Sequence, residues 1–231
     1  MRTKAIIMSG ANGNLGKIVA ERFAAAGYTV LAPVVDERAL QGLPQHQQVI
    51  GEVVNLADEL AVGLYVEKLI RDYPFMQGGL MLAGGFAVGS IMDTDGAAID
   101  RQVELNFKTA YFLARPLYKH LSSVGKGSLV FVGARPALEA GSGKGLLAYS
   151  ISKAMVIQLA ELINAQARGT GVTASVVVPG IIDTPANRQA MPDGDFSAWV
   201  TPDALAEIFL FLFSEQAGPL RQTLLKAYNG S

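Results

Sequence analysis

Cysteine is absent from the 231-residue chain, and histidine occurs only twice. The missing thiols exclude cysteine nucleophiles, disulfide bonds and cysteine-ligated zinc. Because His46 and His120 are the two histidines of the chain, we expect no histidine-rich metal centre. Charge is scarce as well, since charged residues make up 17% of the chain and the net charge is −1. Nothing in this composition favours a nucleic acid as partner.

Long hydrophobic runs are missing too. The uncharged stretch from Gly78 to Met92 is interrupted by five glycines, which makes it a poor membrane span. Near the N-terminus, the apolar run from Ala5 to Met8 is too short for the core of a signal peptide. We therefore expect a soluble, cytoplasmic protein without a membrane partner.

Half of the residues are apolar, and they are grouped into short β-branched runs that alternate with helical patterns. The predicted strands are Ala5–Met8, Thr29–Val35, Gln48–Val54, Gly79–Leu82, Ser128–Val132, Thr173–Val178 and Thr223–Ala227. The predicted helices are Leu15–Ala26, Asp58–Tyr73, Ile99–Leu121, Tyr149–Arg168 and Pro202–Ser214. Alternating strands and helices predict one α/β domain over residues 1–231. We expect a Rossmann-type, doubly wound parallel sheet of about seven strands.

A glycine-rich loop joins the first predicted strand to the first helix. Its residues are Gly10, Ala11, Asn12, Gly13, Asn14, Leu15 and Gly16. Glycines at this place let a pyrophosphate approach the free N–H groups of a helix N-terminus. A Walker loop is excluded, because Lys17 is followed by Ile18 rather than by serine or threonine. A tight structural turn without a ligand is the remaining alternative.

Asp36 stands twenty residues after Gly16, near the end of the second predicted strand. A carboxylate there can accept hydrogen bonds from an adenosine ribose and repels a 2′-phosphate. This favours NADH over NADPH. Because Glu37 and Arg38 follow directly, an ordinary solvated charge cluster is an equal alternative.

Tyr149 and Lys153 are spaced so that they share one face of a predicted helix. A nearby ammonium favours the phenolate, so we expect Lys153 to lower the pKa of Tyr149. The phenol then exchanges a proton while a nicotinamide transfers hydride. On its own such a pair is usually part of a solvated helix face. Its place after the fifth strand, in a chain with the glycine loop, favours catalysis.

The glycine loop and the Tyr-x-x-x-Lys pattern together resemble the short-chain dehydrogenase/reductase family over essentially the whole chain. The resemblance implies roles for further residues. Asn106 corresponds to the family's helix asparagine, which helps to hold a proton-relay water, although a polar helix surface explains it as well. Further cofactor contacts are implied for Asn55 and Leu56 near the adenine, for Ala83, Gly84 and Gly85 after the fourth strand, and for Pro179, Gly180, Ile182 and Thr184 near the nicotinamide.

One position departs from that family. Its catalytic serine corresponds here to Ala134, which has no hydroxyl to polarise a carbonyl. Three explanations are open: Ser142 in the following loop takes over, the substrate does not need this help, or catalysis has been lost.

A closer resemblance supports the second explanation. Ala134, the Ala83–Phe86 segment and the stretch from Asp183 to Trp199 are similar to dihydropteridine reductases, which lack the serine but keep the tyrosine and lysine. Phe86, Ala134, Met191 and Trp199 are the implied substrate contacts, with plain core packing as the alternative for Phe86 and Trp199. The loop before Tyr149 is about two residues longer than in that group.

The resulting hypothesis is an NAD(P)H-dependent reductase of a quinonoid dihydropteridine-like ring. A reductase of another small carbonyl or quinone and a non-catalytic NAD(P)-binding regulator are the alternatives. In this family the helices around Asn106 and Tyr149 usually pack against a second subunit, which implies a homodimer or homotetramer. The all-apolar run 208–213 indicates a second contact surface or a fully buried helix.

Overall fold

Seven parallel strands form one sheet in the order β3-β2-β1-β4-β5-β6-β7. The computed structural model describes residues 4–221 and 223–230. The strands are β1 (Lys4–Ser9), β2 (Tyr28–Val34), β3 (Val49–Val53), β4 (Met76–Met81), β5 (Lys126–Val132), β6 (Gly171–Pro179) and β7 (Thr223–Ala227). The predicted doubly wound α/β fold is confirmed.

Helices cover both faces of the sheet. They are α1 (Asn14–Ala25), α2 (Glu37–Gln41), α3 (Glu59–Asp72), α4 (Gly96–Gln102), α5 (Thr109–Val124), α6 (Leu147–Gln166), α7 (Pro185–Ala190) and α8 (Pro202–Leu212). One core cluster packs α3, α5 and α6 against the sheet, and a second packs α1 and α8 against its other face. Because both faces are buried, the central strands read as continuous apolar runs.

The strand order places the functional crevice. β1 pairs with β2 on one side and with β4 on the other, so the chain changes direction across the sheet at this point. In open parallel sheets, ligands bind outside the carboxyl ends of the strands where this change occurs. The glycine loop after β1 and the segment after β4 therefore border one crevice.

The long helix predicted over Ile99–Leu121 is interrupted. The structure has α4, then a π-helical turn at Val103–Lys108, and then α5. Such π-turns widen the helix by one residue per turn and are frequent at functional sites. Asn106 lies inside this turn, so its side chain does not point where a regular helix of 3.6 residues per turn would direct it.

Two short helices were not predicted, and side-chain caps define both. Asp36 begins α2 by accepting a hydrogen bond from the N–H of Ala39 at 2.7 Å. Thr184 begins α7 in the same way, with Asn187 as donor at 3.2 Å. Both segments are too short for an apolar periodicity to show, so only the caps mark them.

Helix α8 contains the all-apolar run, and its faces differ in burial. Phe209 and Leu212 are buried in the core, whereas Phe211 is 44% exposed. Burial therefore explains most of the run and leaves one apolar side chain for a further contact. Within the described ranges, no helix combines the length and the hydrophobicity needed to cross a membrane.

Candidate active site

The glycine loop forms a tight turn at the end of β1. The N–H of Gly13 donates to the carbonyl of Gly10 at 3.0 Å, and Gly10 has a φ of +70°. A Cβ on Gly10 would lie 2.7 Å from the backbone nitrogen of Ala83, and one on Gly16 would lie 1.9 Å from the carbonyl oxygen of Gly10. Glycine is therefore required at both positions, because any side chain would collide with backbone.

This loop opens directly onto the N-terminus of α1, which has the properties of an anion site. Gly13 is the N-cap residue, and no side chain caps the helix there. The N–H groups of the first turn, which includes Asn14 and Leu15, have no acceptor within the helix. No acidic residue lies in that turn. The free amides, the helix dipole and the narrow backbone turn fit a pyrophosphate, so these residues suit a dinucleotide.

Asp36 lies where β2 ends, beside the same crevice. Its carboxylate atom Oδ1 is engaged in capping α2, which leaves Oδ2 available to a ribose hydroxyl. Val35, directly before it, is 67% exposed although it is apolar. The ribose contact of Asp36 stays a prediction, now with a second, structural task for the same side chain.

Asn106 is the most connected polar residue of the site and is 1% exposed. Its Oδ1 accepts from the N–H of Gly85 at 3.0 Å. Its Nδ2 faces three acceptors: the carbonyl of Gly85 at 3.0 Å, Gln102 Oε1 at 3.0 Å and Ser152 Oγ at 3.1 Å. One amide thus connects the segment after β4, the π-turn and α6. The helix-surface alternative for Asn106 is excluded by its burial.

Lys153 is buried beside this network and donates to the carbonyl of Val132, at the end of β5, at 2.9 Å. A Cβ on Gly84 would lie 3.3 Å from Lys153 Nζ and 2.5 Å from Asn106 Oδ1. Gly84 therefore allows both groups to reach the crevice. Burial lowers the pKa of Lys153 to about 8.

Tyr149 is the third residue of α6, one helical turn before Lys153. The ring of Phe86 meets its ring edge to face, with centroids 5.1 Å apart. Phe86 is 65% exposed, so core packing does not explain it. An aromatic surface beside the phenol is a suitable wall for a flat ring.

The expected lowering of the tyrosine pKa is wrong for this structure. Burial raises the pKa of Tyr149 to about 12, and the charge of Lys153 does not offset this rise. The physical reason is that desolvation penalises the phenolate, while the ammonium is directed to the carbonyl of Val132. At neutral pH the phenol is protonated, as a proton donor must be.

Ala134 follows β5 and is 5% exposed. Ser142 does not replace the missing hydroxyl in this arrangement, because it is exposed and its hydroxyl donates to the carbonyl of Glu139 at 2.8 Å. The loop that contains both residues is attached to the segment after β4, since the N–H of Gly89 donates to the carbonyl of Gly145 at 2.7 Å.

The segment after β6 lies at the same edge of the sheet. Pro179 ends β6, and the N–H of Gly180 donates to the carbonyl of Ala227, at the end of β7, at 2.9 Å. Ile182 forms a bridge with Val200 that closes the segment at its base. Thr184 is 6% exposed, and its predicted nicotinamide contact stays a prediction.

Met191 and Trp199, the other predicted substrate contacts, differ in exposure. Met191 is 38% exposed at the end of α7, where a ligand can reach it. Trp199 is 4% exposed and packs against Phe196, with ring centroids 4.7 Å apart. Trp199 is therefore packed inside the segment after β6, which agrees with the alternative of plain core packing for this residue.

The predicted adenine contacts lie after β3. Asn55 is exposed and accepts from the N–H of Ala57 at 3.0 Å, while Leu56 packs against the core. Asn12 lies on the glycine loop, and its Cβ would be 3.7 Å from a Cβ added to Gly42. No contact in the structure tests their roles toward a cofactor.

Comparison with known proteins identifies the family. The family description short chain dehydrogenase matches residues 4–194. The chain belongs to this family. Dehydrogenase/reductase SDR family member 6 of Xenopus laevis is 26% identical over 231 residues, covering 93% of this chain and 91% of that protein. The 3-oxoacyl-[acyl-carrier-protein] reductase FabG of Thermotoga maritima is 23% identical over 227 residues, covering 93% and 92%. It follows that the protein is an oxidoreductase that uses a nicotinamide cofactor.

Solved structures agree with the short-chain dehydrogenase fold. A structure of ElxO with NADP bound superposes with a TM-score of 0.89 at 20% identity, covering 99% of this chain and 98% of that one. A short-chain dehydrogenase/reductase of Burkholderia thailandensis gives a TM-score of 0.86 at 25% identity, covering 100% and 92%. The fold is therefore shared throughout the chain.

Two residues of this short-chain dehydrogenase site were not predicted from the sequence. Gln102 is 5% exposed and accepts from Asn106, four residues later. Ser152 is fully buried, and its hydroxyl donates to the carbonyl of Tyr149 at 2.8 Å. The four-residue spacing between Gln102 and Asn106 was the available signal, since it places two amides on one helix face.

The buried lysine predicts how stability depends on pH. In the unfolded chain Lys153 holds its proton up to about pH 10.5, but in the folded protein only up to about pH 8. The unfolded state therefore binds more protons between these values, and stability rises with pH. Relative to Lys153→Met, the wild type should gain up to roughly 3 kcal/mol of unfolding free energy between pH 8 and 10.5. Urea denaturation at a series of pH values measures this.

Lys144→Met, which removes an exposed lysine, is the matched control and should run parallel to the wild type. Parallel curves for Lys153→Met as well would contradict the burial of a titrating ammonium.

Proposed function

We propose that this protein reduces a quinonoid dihydropteridine-like ring at the expense of NADH, with Tyr149 as the proton donor. The observation that supports it is the combination of a buried Ala134 at the serine position with a complete Tyr149, Lys153 and Asn106 arrangement. A site that lacks the carbonyl-polarising hydroxyl suits an acceptor that is already electron-poor. Such an acceptor needs a proton and a flat surface more than a second hydrogen-bond donor.

The chain's own residues divide this work between them. The amides of Asn14 and Leu15 bind the pyrophosphate, and Asp36 binds the adenosine ribose, which favours NADH over NADPH. Lys153, charged below about pH 8, holds the nicotinamide ribose. When bound, the nicotinamide supplies a hydride to the ring.

Tyr149 supplies the proton that accompanies this reduction. Its pKa of about 12 keeps the phenol protonated at physiological pH. The ring of Phe86, in edge-to-face contact with the phenol, then offers a surface on which a pterin can lie. Asn106 and Ser152 keep the backbone of Tyr149 in place from below. A cytoplasmic location for this activity stays a prediction.

Replacing Tyr149 by phenylalanine removes the donated proton and little else. We expect turnover of quinonoid dihydropterin with NADH to fall roughly 100- to 10,000-fold, because general acid catalysis contributes about that much. Cofactor affinity, measured by nicotinamide fluorescence, should stay within a factor of about two. The assay is run in parallel with NADH and NADPH. Wild-type protein that turns over neither cofactor with the pterin would refute the proposed substrate.

A second candidate, reduction of a small carbonyl or quinone, is favoured by the names of the relatives. One relative is a 3-oxoacyl reductase, whose substrate is a ketone. The loop from 135 to 148, bonded to the segment after β4, is the place where a different substrate would be accommodated.

Restoring the missing hydroxyl separates the two candidates. Ala134→Ser places a donor at the buried position after β5, so carbonyl turnover should rise roughly tenfold or more. Turnover of the pterin, which does not need the donor, should change little. Steady-state assays of both variants with quinonoid dihydropterin and with a panel of ketones and quinones measure both effects. If the wild type already prefers a ketone, the second candidate is the correct one.

We also propose that the protein is a homodimer formed through α3, α5 and α6. Leu60, Leu64 and Leu162 are 73%, 60% and 59% exposed on these helices. Of these three, Leu162 lines a groove of about 570 Å³, together with Tyr111 of α5 and Leu159 of α6. A self-complementary contact about a two-fold axis would cover these leucines. Phe211 on α8 is the corresponding candidate for a tetramer contact.

A charge on this surface should prevent association. Leu162→Glu would place two buried carboxylates near each other across the two-fold axis, which strongly disfavours the dimer. Light scattering during size exclusion should then give the monomer mass of 24.4 kDa instead of twice that value. Phe211→Glu serves as the control and should leave the dimer intact. An unchanged mass for Leu162→Glu would contradict this interface.

A further inference from the structure

Residues 228–230, called here the tail, follow β7, and two of them contact the segment that follows β6. Asn229 Nδ2 faces the carbonyls of Ser197 at 3.3 Å and Trp199 at 3.0 Å. The N–H of Gly230 donates to the carbonyl of Ala198, between them, at 3.1 Å. Two consecutive residues therefore take up three consecutive carbonyls of one turn.

Asn229 adopts an unusual backbone conformation to do so. Its φ is +53°, and it is the one non-glycine residue with a positive φ in the described part of the chain. Asparagine tolerates the left-handed region better than most residues, but the conformation still costs free energy. Residues held in this way are concentrated at places where the surrounding structure fixes them for a purpose.

The segment that Asn229 holds is residues 184–200, called here the capping segment. Its base is closed by two hydrogen bonds, from the N–H of Asp183 to Val200 at 2.8 Å and from the N–H of Val200 to Ile181 at 2.9 Å. Because it starts at the carboxyl end of β6, it lies at the crevice edge. The second half of the segment accepts three hydrogen bonds from the tail.

A second contact connects the same tail to the loop that follows β5. The ring of Tyr228 lies under the guanidinium of Arg135, with 4.9 Å between the Arg135 Cζ and the ring centroid. Arg135 follows Ala134 directly and forms an ion pair with Glu139 at 2.7 Å. The tail therefore joins the loop after β5 to the capping segment across the end of β7.

We propose that Asn229 is a positioning residue, whose side-chain amide holds the capping segment closed beside the active site and so sets the affinity for substrate. The inference rests on the proposed function only in taking residues 184–200 as part of the substrate pocket. Asn229 touches neither of the proton-handling groups in the structure. Its loss should therefore act on substrate binding and leave the chemical step unchanged.

Three substitutions separate the amide from the backbone conformation. Asn229→Gly keeps the left-handed backbone without strain and removes the amide. Asn229→Asp keeps the shape, but its carboxylate cannot donate to the two carbonyls. Asn229→Ala removes the amide and disfavours the conformation as well. Gln216→Ala, at an exposed residue outside the tail, is the control.

Trp199 is the single tryptophan of the chain, and its backbone carbonyl accepts one of the two bonds from Asn229. Its fluorescence therefore reports on the capping segment. In the wild type we expect blue-shifted emission and weak quenching by acrylamide, because the indole is 4% exposed. In Asn229→Gly and Asn229→Asp the emission should shift to the red and quenching should increase. Circular dichroism of each variant confirms that the fold is retained.

Kinetics give the second readout. With quinonoid dihydropterin and NADH, KM for the pterin should rise roughly tenfold, as expected for two lost hydrogen bonds. Both kcat and the Kd for NADH should stay within a factor of about two. Unchanged quenching in both variants overturns the proposal, and so does a loss of kcat at constant KM. If the wild type does not reduce the pterin, the proposed substrate fails, but the tryptophan measurement still decides the role of Asn229.

Discussion

The side-chain amide of Asn106 holds together three parts of the chain that the active site needs in one place. It forms hydrogen bonds with the N–H and the carbonyl of Gly85 after β4. It also contacts the side-chain amide of Gln102 before the π-turn and the hydroxyl of Ser152 on α6. All of these groups are buried or partly buried, so each would lose free energy if left without a partner. Because the amide nitrogen has two hydrogens for three acceptors, the network shares them among Gly85, Gln102 and Ser152 and so holds the three segments together.

The same burial sets the electrostatics of the two proton-handling residues. Removing Lys153 from water lowers its pKa, and removing Tyr149 from water raises its pKa, so the two shifts have one cause. The carbonyl of Val132 partly compensates the ammonium. A phenol that is protonated at neutral pH is suited to giving a proton to an acceptor. Ala134, buried after β5, has no hydroxyl to donate to such an acceptor.

How far the sequence predicts the structure depends on the range of the interactions involved. The strands were predicted to within a few residues, since buried parallel strands are continuous apolar runs between glycine-rich turns. The division of the helix around Asn106 was not predicted, because the π-turn is stabilised by contacts to Gly85 and Ser152 on other elements. The direction of the tyrosine pKa shift was predicted wrongly for a similar reason. It depends on how much protein surrounds Tyr149, which helical spacing does not reveal.

By itself the sequence determined the α/β alternation, the glycine loop before α1 and the spacing of Tyr149 and Lys153. Each is a local property, since backbone freedom and helical periodicity act between residues close together in the chain. Only the tertiary structure decided that Trp199 is buried, that Ser142 is engaged within its own turn and that Asn229 reaches residues 32 and 30 positions before it. Burial and hydrogen bonding of this kind depend on which distant segments meet when the sheet assembles.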